Sequence, residues 1–164
     1  MLEVVLLKIK WKELIICIII PLAVGGLSAV ISGNAMAEFG NLKQPPLSPP
    51  AVLFPIVWTI LYILMGVASY LVLTSESNKK LKQISLTVYG IQLAFNFLWS
   101  IIFFNLEQYL FAFIWLVVLW ILILTCIILF SKSSKTAAYL MIPYLLWVSF
   151  AGYLNLAIYL LNAK

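Results

Sequence analysis

Residues 109–130 read YLFAFIWLVVLWILILTCIILF, an apolar run with almost no polar group beyond Thr125 and Cys126. A helix needs about 20 apolar residues to cross the roughly 30 Å hydrocarbon core of a bilayer. Four further runs of that kind lie at about 14–32, 51–73, 84–104 and 137–161. Membrane strands would alternate apolar and polar residues, and these runs do not. The sequence therefore predicts an all-α integral membrane protein, a five-transmembrane-helix bundle that forms one domain over residues 1–164.

The composition agrees and excludes several classes of protein. Apolar types make up 65% of the chain and charged types 9%, against roughly 45–50% and 25% in soluble domains. The chain contains no Arg, Asp or His, which excludes an imidazole metal ligand and a Ser-His-Asp triad. Cys17 and Cys126 lie in apolar runs without metal-binding spacing. We expect no metal site, no cofactor and no nucleic-acid partner.

The lysines predict the orientation in the membrane. Eight of the ten would lie on one side, before the first span and in the second and fourth loops: Lys8, Lys10, Lys12, Lys79, Lys80, Lys82, Lys132 and Lys135. Because lysine-rich segments stay in the cytoplasm, the N-terminus is predicted to be cytoplasmic and the C-terminus outside. The absence of Arg and Asp, with abundant Ile, Lys and Asn, favours a bacterial cell membrane. A competing interpretation is a secretory signal sequence cleaved after Ala35-Met36-Ala37.

Polar and aromatic residues recur at helical spacing within three of the spans. These stripes comprise Trp58, Tyr62, Met65 and Ser69; Gln92, Asn96, Trp99 and Phe103; and Tyr144, Trp147, Ala151, Asn155 and Asn162. Amides in lipid must face protein, so the stripes are predicted to turn inward. Whether they line a cavity or only join helices stays open. No charged residue lies well inside any span, which disfavours an ion-coupled transporter.

Small residues and prolines mark two further features. Gly25, Ala29, Ser32 and Gly33 form a small face on the first span, suited to close packing within the chain or in a dimer. Loop 1, residues 33–50, carries Pro45, Pro46, Pro49 and Pro50, which predict a stiff collar after a more pliable first half.

Three blocks in this order resemble the TspO/MBR family of tryptophan-rich sensory proteins, whose mitochondrial members are the translocator proteins. The blocks are PPLSPP at 45–50 with FPIVWTILY at 54–62, QLAFNFLWS at 92–100, and PYLLWVSFA at 143–151 with Leu154-Asn155. The resemblance implies a five-helix bundle, usually a homodimer, with one cavity beneath loop 1 as a lid. Members bind porphyrins, and mitochondrial members also bind cholesterol and synthetic ligands.

Carried onto this sequence, the resemblance implies a set of ligand-binding residues and a set of lid residues. The ligand-binding set is Trp58, Tyr62, Asn96, Trp99, Phe111, Tyr144, Trp147, Ala151 and Asn155; the lid set is Pro45, Pro46, Pro49 and Pro50. Phe111 stands where many members have a pocket tryptophan. Leu47 replaces a tryptophan that is frequent in the proline-rich loop, which affects synthetic ligands rather than the fold.

Three functions are compatible with these residues. The first is a membrane binding protein for porphyrin-like or other tetrapyrrole-like apolar ligands, acting in sensing, handling or stress response. The second is light-dependent porphyrin breakdown, with Trp58 and Trp147 as candidate catalytic residues. The third is a transporter of apolar small molecules. A chain without His lacks the usual ligand of haem iron, so a metal-free porphyrin is favoured.

Overall fold

The computed structural model describes residues 9–33 and 40–162, and five long helices dominate it. They are α1 (Trp11–Ser32), α2 (Leu53–Thr74), α3 (Lys79–Ser100), α4 (Tyr109–Ser131) and α5 (Lys135–Asn162). A π-helical turn, Ile101–Asn105, extends α3. All five helical segments are long and apolar enough to cross a membrane. The prediction of a five-helix, all-α membrane bundle is confirmed.

The helices pack in a ring whose order differs from their order in the chain. α1 packs on α2, α2 on α5, α5 on α4, α4 on α3, and α3 returns to α1. Within this ring α4 packs against α3 and α5, and its other face carries exposed apolar side chains such as Ile114 and Ile121. That face is suited to lipid, as expected of a helix with almost no polar group.

The largest difference between predicted and observed boundaries is at the start of α3. An apolar run begins near residue 84, but the helix begins at Lys79. The side-chain Oδ1 of Asn78 accepts a hydrogen bond from the backbone N–H of Leu81 at 2.8 Å, which caps the first turn. The Nζ of Lys82 reaches back to the carbonyl oxygens of Leu73 and Ser75 at the end of α2. Hydropathy misses this polar turn because it lies outside the apolar core.

Close approach of helices depends on two glycines. A Cβ built on Gly66 would lie 2.6 Å from the Cα of Ile18 and 2.8 Å from the carbonyl oxygen of Cys17, both in α1. A Cβ on Gly25 would overlap the ring of Tyr62. Glycine at these positions therefore lets α1 and α2 pack backbone to backbone and lets the Tyr62 ring lie against α1.

Loop 1 is fastened to α5 in its described part, residues 40–50. The backbone of Lys43 makes two hydrogen bonds with the side chain of Asn162, at 3.0 and 3.1 Å. The hydroxyl of Tyr153 donates to the carbonyl of Pro46 at 2.9 Å. Asn162, predicted to face inward with its stripe, is thus a contact for loop 1. Residues 34–39, with the candidate cleavage site Ala35–Ala37, lie outside the described residues.

Candidate functional site

A cavity of about 330 Å³ lies between α1, α2, α3 and α5. Its wall is mostly apolar and aromatic, with a few hydroxyl and amide groups. It is lined by Leu22, Gly25, Gly26, Ser28, Ala29, Ser32, Gly33, Ala51, Phe54, Pro55, Trp58, Thr59, Tyr62, Trp99, Ser100, Phe103, Phe104, Trp147, Ala151, Leu154 and Asn155. Such a composition suits an apolar ligand that is oriented by few polar contacts.

Six of the nine residues predicted to bind ligand lie in this wall: Trp58, Tyr62, Trp99, Trp147, Ala151 and Asn155. The rings of Trp58 and Tyr62 stack, with their centroids 5.5 Å apart and their planes tilted by 28°. The ring of Trp147 makes an edge contact with Phe54, a wall residue that sequence analysis missed, at 5.9 Å. Helices α2 and α5 therefore present a continuous aromatic surface to the cavity.

Two more predicted residues, Asn96 and Tyr144, lie directly behind the wall. The hydroxyl of Tyr62 donates to Oδ1 of Asn96 at 2.8 Å, and Nδ2 of Asn96 donates to the hydroxyl of Tyr144 at 3.0 Å. The Tyr144 hydroxyl in turn donates to Oε1 of Gln92 at 3.0 Å. Asn96, Tyr144 and Gln92 are at most 2% exposed. This network joins α2, α3 and α5 and fixes the position of the Tyr62 ring.

A second set of hydrogen bonds holds the indole ring of Trp99 in the cavity wall. Its indole N–H donates to Oδ1 of Asn155 at 3.2 Å. The Nδ2 of Asn155 donates to the backbone carbonyl of Tyr109 at 2.7 Å, at the first residue of α4. Asn155 is 1% exposed. It therefore acts mainly as a bridge between α3, α4 and α5, while it also borders the cavity.

Phe111 does not reach the cavity. Its side chain is 49% exposed on the outer face of α4, and its ring lies 6.0 Å from that of Trp115. Trp115 donates its indole N–H to the carbonyl of Phe95 and so holds this face of α4 against α3. Because α4 packs behind α3 and α5 rather than beside the cavity, the predicted role of Phe111 in the pocket is not supported by its position.

The α1 side of the cavity was the least visible in the sequence. Gly25, Gly26 and Ala29 line it, although small residues there were interpreted as a packing face. Around Gly26 a Cβ would meet no atom within 4 Å, so the glycine contributes open volume. Small residues occur both where two helices pack closely and where a helix lines a cavity. The spacing of small residues therefore does not distinguish a packing face from a cavity wall.

The four prolines of loop 1, which were predicted to form a collar, do not line the cavity. Pro45 is buried, and its carbonyl accepts a hydrogen bond from the backbone N–H of Ser48. Leu47, between them, has a φ of 67°, a left-handed conformation at the tip of this turn. Among the described residues of loop 1, Gly33 lines the cavity, as does Ala51 immediately after the loop.

The cavity wall carries no charged side chain among the described residues. In the same part of the chain, the indole N–H groups of Trp58 and Trp147 have no hydrogen-bond partner, whereas those of Trp99, Trp115 and Trp120 each donate one bond. No cluster of residues that could hold a metal occurs within residues 9–33 and 40–162. The wall can therefore stack on a flat apolar ligand and offer it neutral hydrogen-bond donors.

Comparison with known proteins identifies relatives of this chain. Residues 17–161 match the TspO/MBR family profile. The chain is 40% identical to the tryptophan-rich protein TspO of Chlorobaculum tepidum over 150 aligned residues. These residues are 91% of this chain and 95% of the relative. It is 34% identical to its Archaeoglobus fulgidus counterpart, over 92% and 97% of the two chains. It is 31% identical to the Homo sapiens translocator protein, over 80% and 79%. The chain thus belongs to the TspO/MBR family and is a multi-pass membrane protein.

Proposed function

We propose that this protein binds porphyrin-like or other tetrapyrrole-like apolar ligands in the cavity between α1, α2, α3 and α5, and that it acts in sensing, handling or stress response. The observation that carries the proposal is the stack of Trp58 on Tyr62 in a cavity whose described wall is uncharged and includes Trp147. A flat conjugated ring gains dispersion and quadrupole contacts from such surfaces. Relatives named tryptophan-rich sensory protein and translocator protein are compatible with a sensing and a transporting role.

The chemistry of the wall narrows the class of tetrapyrrole. The chain has no His to coordinate a haem iron. The described wall has no cation to pair with propionate groups, and burying an unpaired carboxylate is costly. A metal-free porphyrin would therefore bind with its ring in the cavity and its propionates toward water at the loop 1 end.

The test is a binding titration on three tryptophan variants. Trp58→Ala and Trp147→Ala each remove an aromatic surface from the cavity, and stacking of this kind contributes about 1–3 kcal/mol. The affinity for protoporphyrin IX, followed by the shift of its main absorption band, should fall roughly 5- to 150-fold. Trp120→Ala is the matched control, because Trp120 donates to Ser149 away from the cavity. Equal affinities in all three variants would exclude this binding site.

Light-dependent breakdown of the bound porphyrin is the second candidate, favoured by the same stacked pair. Tryptophan is a residue type that can give an electron to a photoexcited ring, and the ring centroids of Trp58 and Tyr62 lie 5.5 Å apart. Illumination of the porphyrin complex separates the two functions. An unchanged porphyrin spectrum supports binding alone. A new product spectrum that disappears in Trp58→Phe supports chemistry.

Flux of porphyrin into proteoliposomes would support the transporter alternative.

A further inference from the structure

An apolar groove runs along the outside of the bundle between α2 and α5. It is lined by Val57, Ile60, Leu61, Leu64, Pro143, Leu146, Trp147 and Phe150. Its side chains are almost entirely hydrocarbon, and Ile60 and Leu146 are 53% and 65% exposed. The groove residues of α5 lie in the middle part of the helix, roughly 12–22 Å from its first residue at 1.5 Å per residue. The groove therefore opens to the hydrocarbon of the bilayer rather than to water.

Trp147 belongs to both the groove and the cavity. On the cavity side its ring contacts Phe54 at 5.9 Å, and on the groove side it contacts Phe150 at 5.7 Å. Among the described residues, no other side chain is shared by the two linings. Trp147 is thus the side chain that the walls of the cavity and the groove have in common.

Few hydrogen bonds restrain Trp147 and the part of α5 that carries it. Within the described residues, the Trp147 indole N–H makes no hydrogen bond that would fix the rotamer. Pro143 lies one turn earlier in α5 and has no N–H to donate to the carbonyl of Tyr139. That part of α5 therefore lacks one of the hydrogen bonds that keep a helix rigid. The loop 1 end differs, because Lys43 and Pro46 are tied to α5 by three hydrogen bonds.

We infer that apolar molecules reach the cavity from within the bilayer, between α2 and α5, by way of the groove and past a swinging Trp147. The groove is then an access site for an uncharged, lipid-dissolved ligand, whose concentration is far higher in the membrane than in water because apolar surface is driven out of water. This inference extends the proposed function by giving the ligand its route, but the route can be tested without any bound porphyrin.

The test measures how fast a thiol placed inside the cavity is labelled from the membrane. Ala151→Cys puts a thiol in the cavity wall, and the native cysteines Cys17 and Cys126 are free and buried. The probe is N-(1-pyrenyl)maleimide dissolved in the vesicle bilayer, whose double bond adds the thiol without a leaving group. Labelling of the chain without Ala151→Cys supplies the background rate, which is subtracted.

Two further changes fill the groove without touching the cavity, Ile60→Phe and Leu146→Phe. We expect them together to slow labelling of Ala151→Cys at least fivefold. Their matched controls are Ile114→Phe and Leu160→Phe, at positions 54% and 66% exposed that line neither the groove nor the cavity. These controls should leave the rate within twofold, and melting temperatures of all variants show whether folding is preserved.

A last pair of changes loosens loop 1, Tyr153→Phe with Asn162→Ala, which removes its three hydrogen bonds to α5. If access is through the groove, these changes leave the labelling rate within twofold. Faster labelling after loosening loop 1, with no effect of groove filling, would overturn the inference in favour of the loop. So would an absence of labelling from the bilayer, or equal rates in every variant. Failure of porphyrin binding alone would leave these rates unchanged and so refute only the proposed function.

Discussion

Gly66 lies where α1 and α2 approach so closely that a side chain has no room. The atoms that a Cβ would meet, the Cα of Ile18 and the carbonyl oxygen of Cys17, belong to the backbone and cannot turn aside. Gly66→Ala should therefore push the two helices apart and cost about 1–3 kcal/mol, the usual range for overpacking. Its effect is measured as a lower melting temperature in detergent or nanodiscs.

Gly90→Ala is the control for that substitution. Gly90 is an exposed residue within α3, and a Cβ there would meet no atom within 4 Å. The added methyl group should leave stability unchanged or raise it by about 0.5–1 kcal/mol, since alanine favours a helix. If both variants melt at the same temperature, the close contact between α1 and α2 does not exist in the protein.

The inward-facing side chains were predictable on helices with a polar stripe, and they were not predictable on helices without one. The stripes of α2 and α3 turned inward as predicted, with Met65, Gln92 and Asn96 almost fully buried. Phe111 was placed in the pocket only by resemblance, because α4 is apolar on every face and its sequence does not fix its rotation about its own axis. Gly26 was missed because the absence of a side chain leaves no chemical mark of a cavity.

At the scale of single elements, the first turn of α3 depends on polar contacts that hydropathy does not reveal. Asn78→Ala removes the side-chain acceptor for the Leu81 N–H, so the turn should fray at a cost of about 1 kcal/mol. Hydrogen exchange of the amides in residues 79–82 should become faster while the rest of α3 is unchanged. Asn78→Ser keeps a capping oxygen and should restore slow exchange; fast exchange in both variants would show that the cap is not what holds the turn.

The spans themselves were predictable to within three residues, except at the start of α3. Long apolar runs define where a helix must lie in lipid, because each backbone group has to be bonded within the segment. The apolar runs do not define which helices pack against each other. Packing places α5 between α2 and α4, and a long-range hydrogen bond joins Asn162 to loop 1. No local sequence pattern predicts either contact.

For the whole molecule, the distribution of lysines predicts that the C-terminus lies outside the cytoplasm. A fluorescent protein that folds only in the cytoplasm should stay dark when fused after Lys164, whereas an alkaline phosphatase fused there should be active. The reverse pattern would place loop 1 and the loop end of the cavity on the cytoplasmic side.

Homodimer formation also stays a prediction, and the mass of the protein in nanodiscs tests it.

Closing the cavity from the α1 side shows whether it is the porphyrin site. Gly26 lines the cavity, and a Cβ there would meet no atom within 4 Å, so Gly26→Leu directs a side chain into the volume that a ligand would occupy. Gly90→Leu makes the same change at an open, exposed position outside the cavity. In nanodisc titrations with protoporphyrin IX, we predict that Gly26→Leu weakens affinity at least tenfold and that Gly90→Leu stays within twofold of the unmodified protein. Equal affinities for the two variants, or no binding by the unmodified protein, would contradict the account.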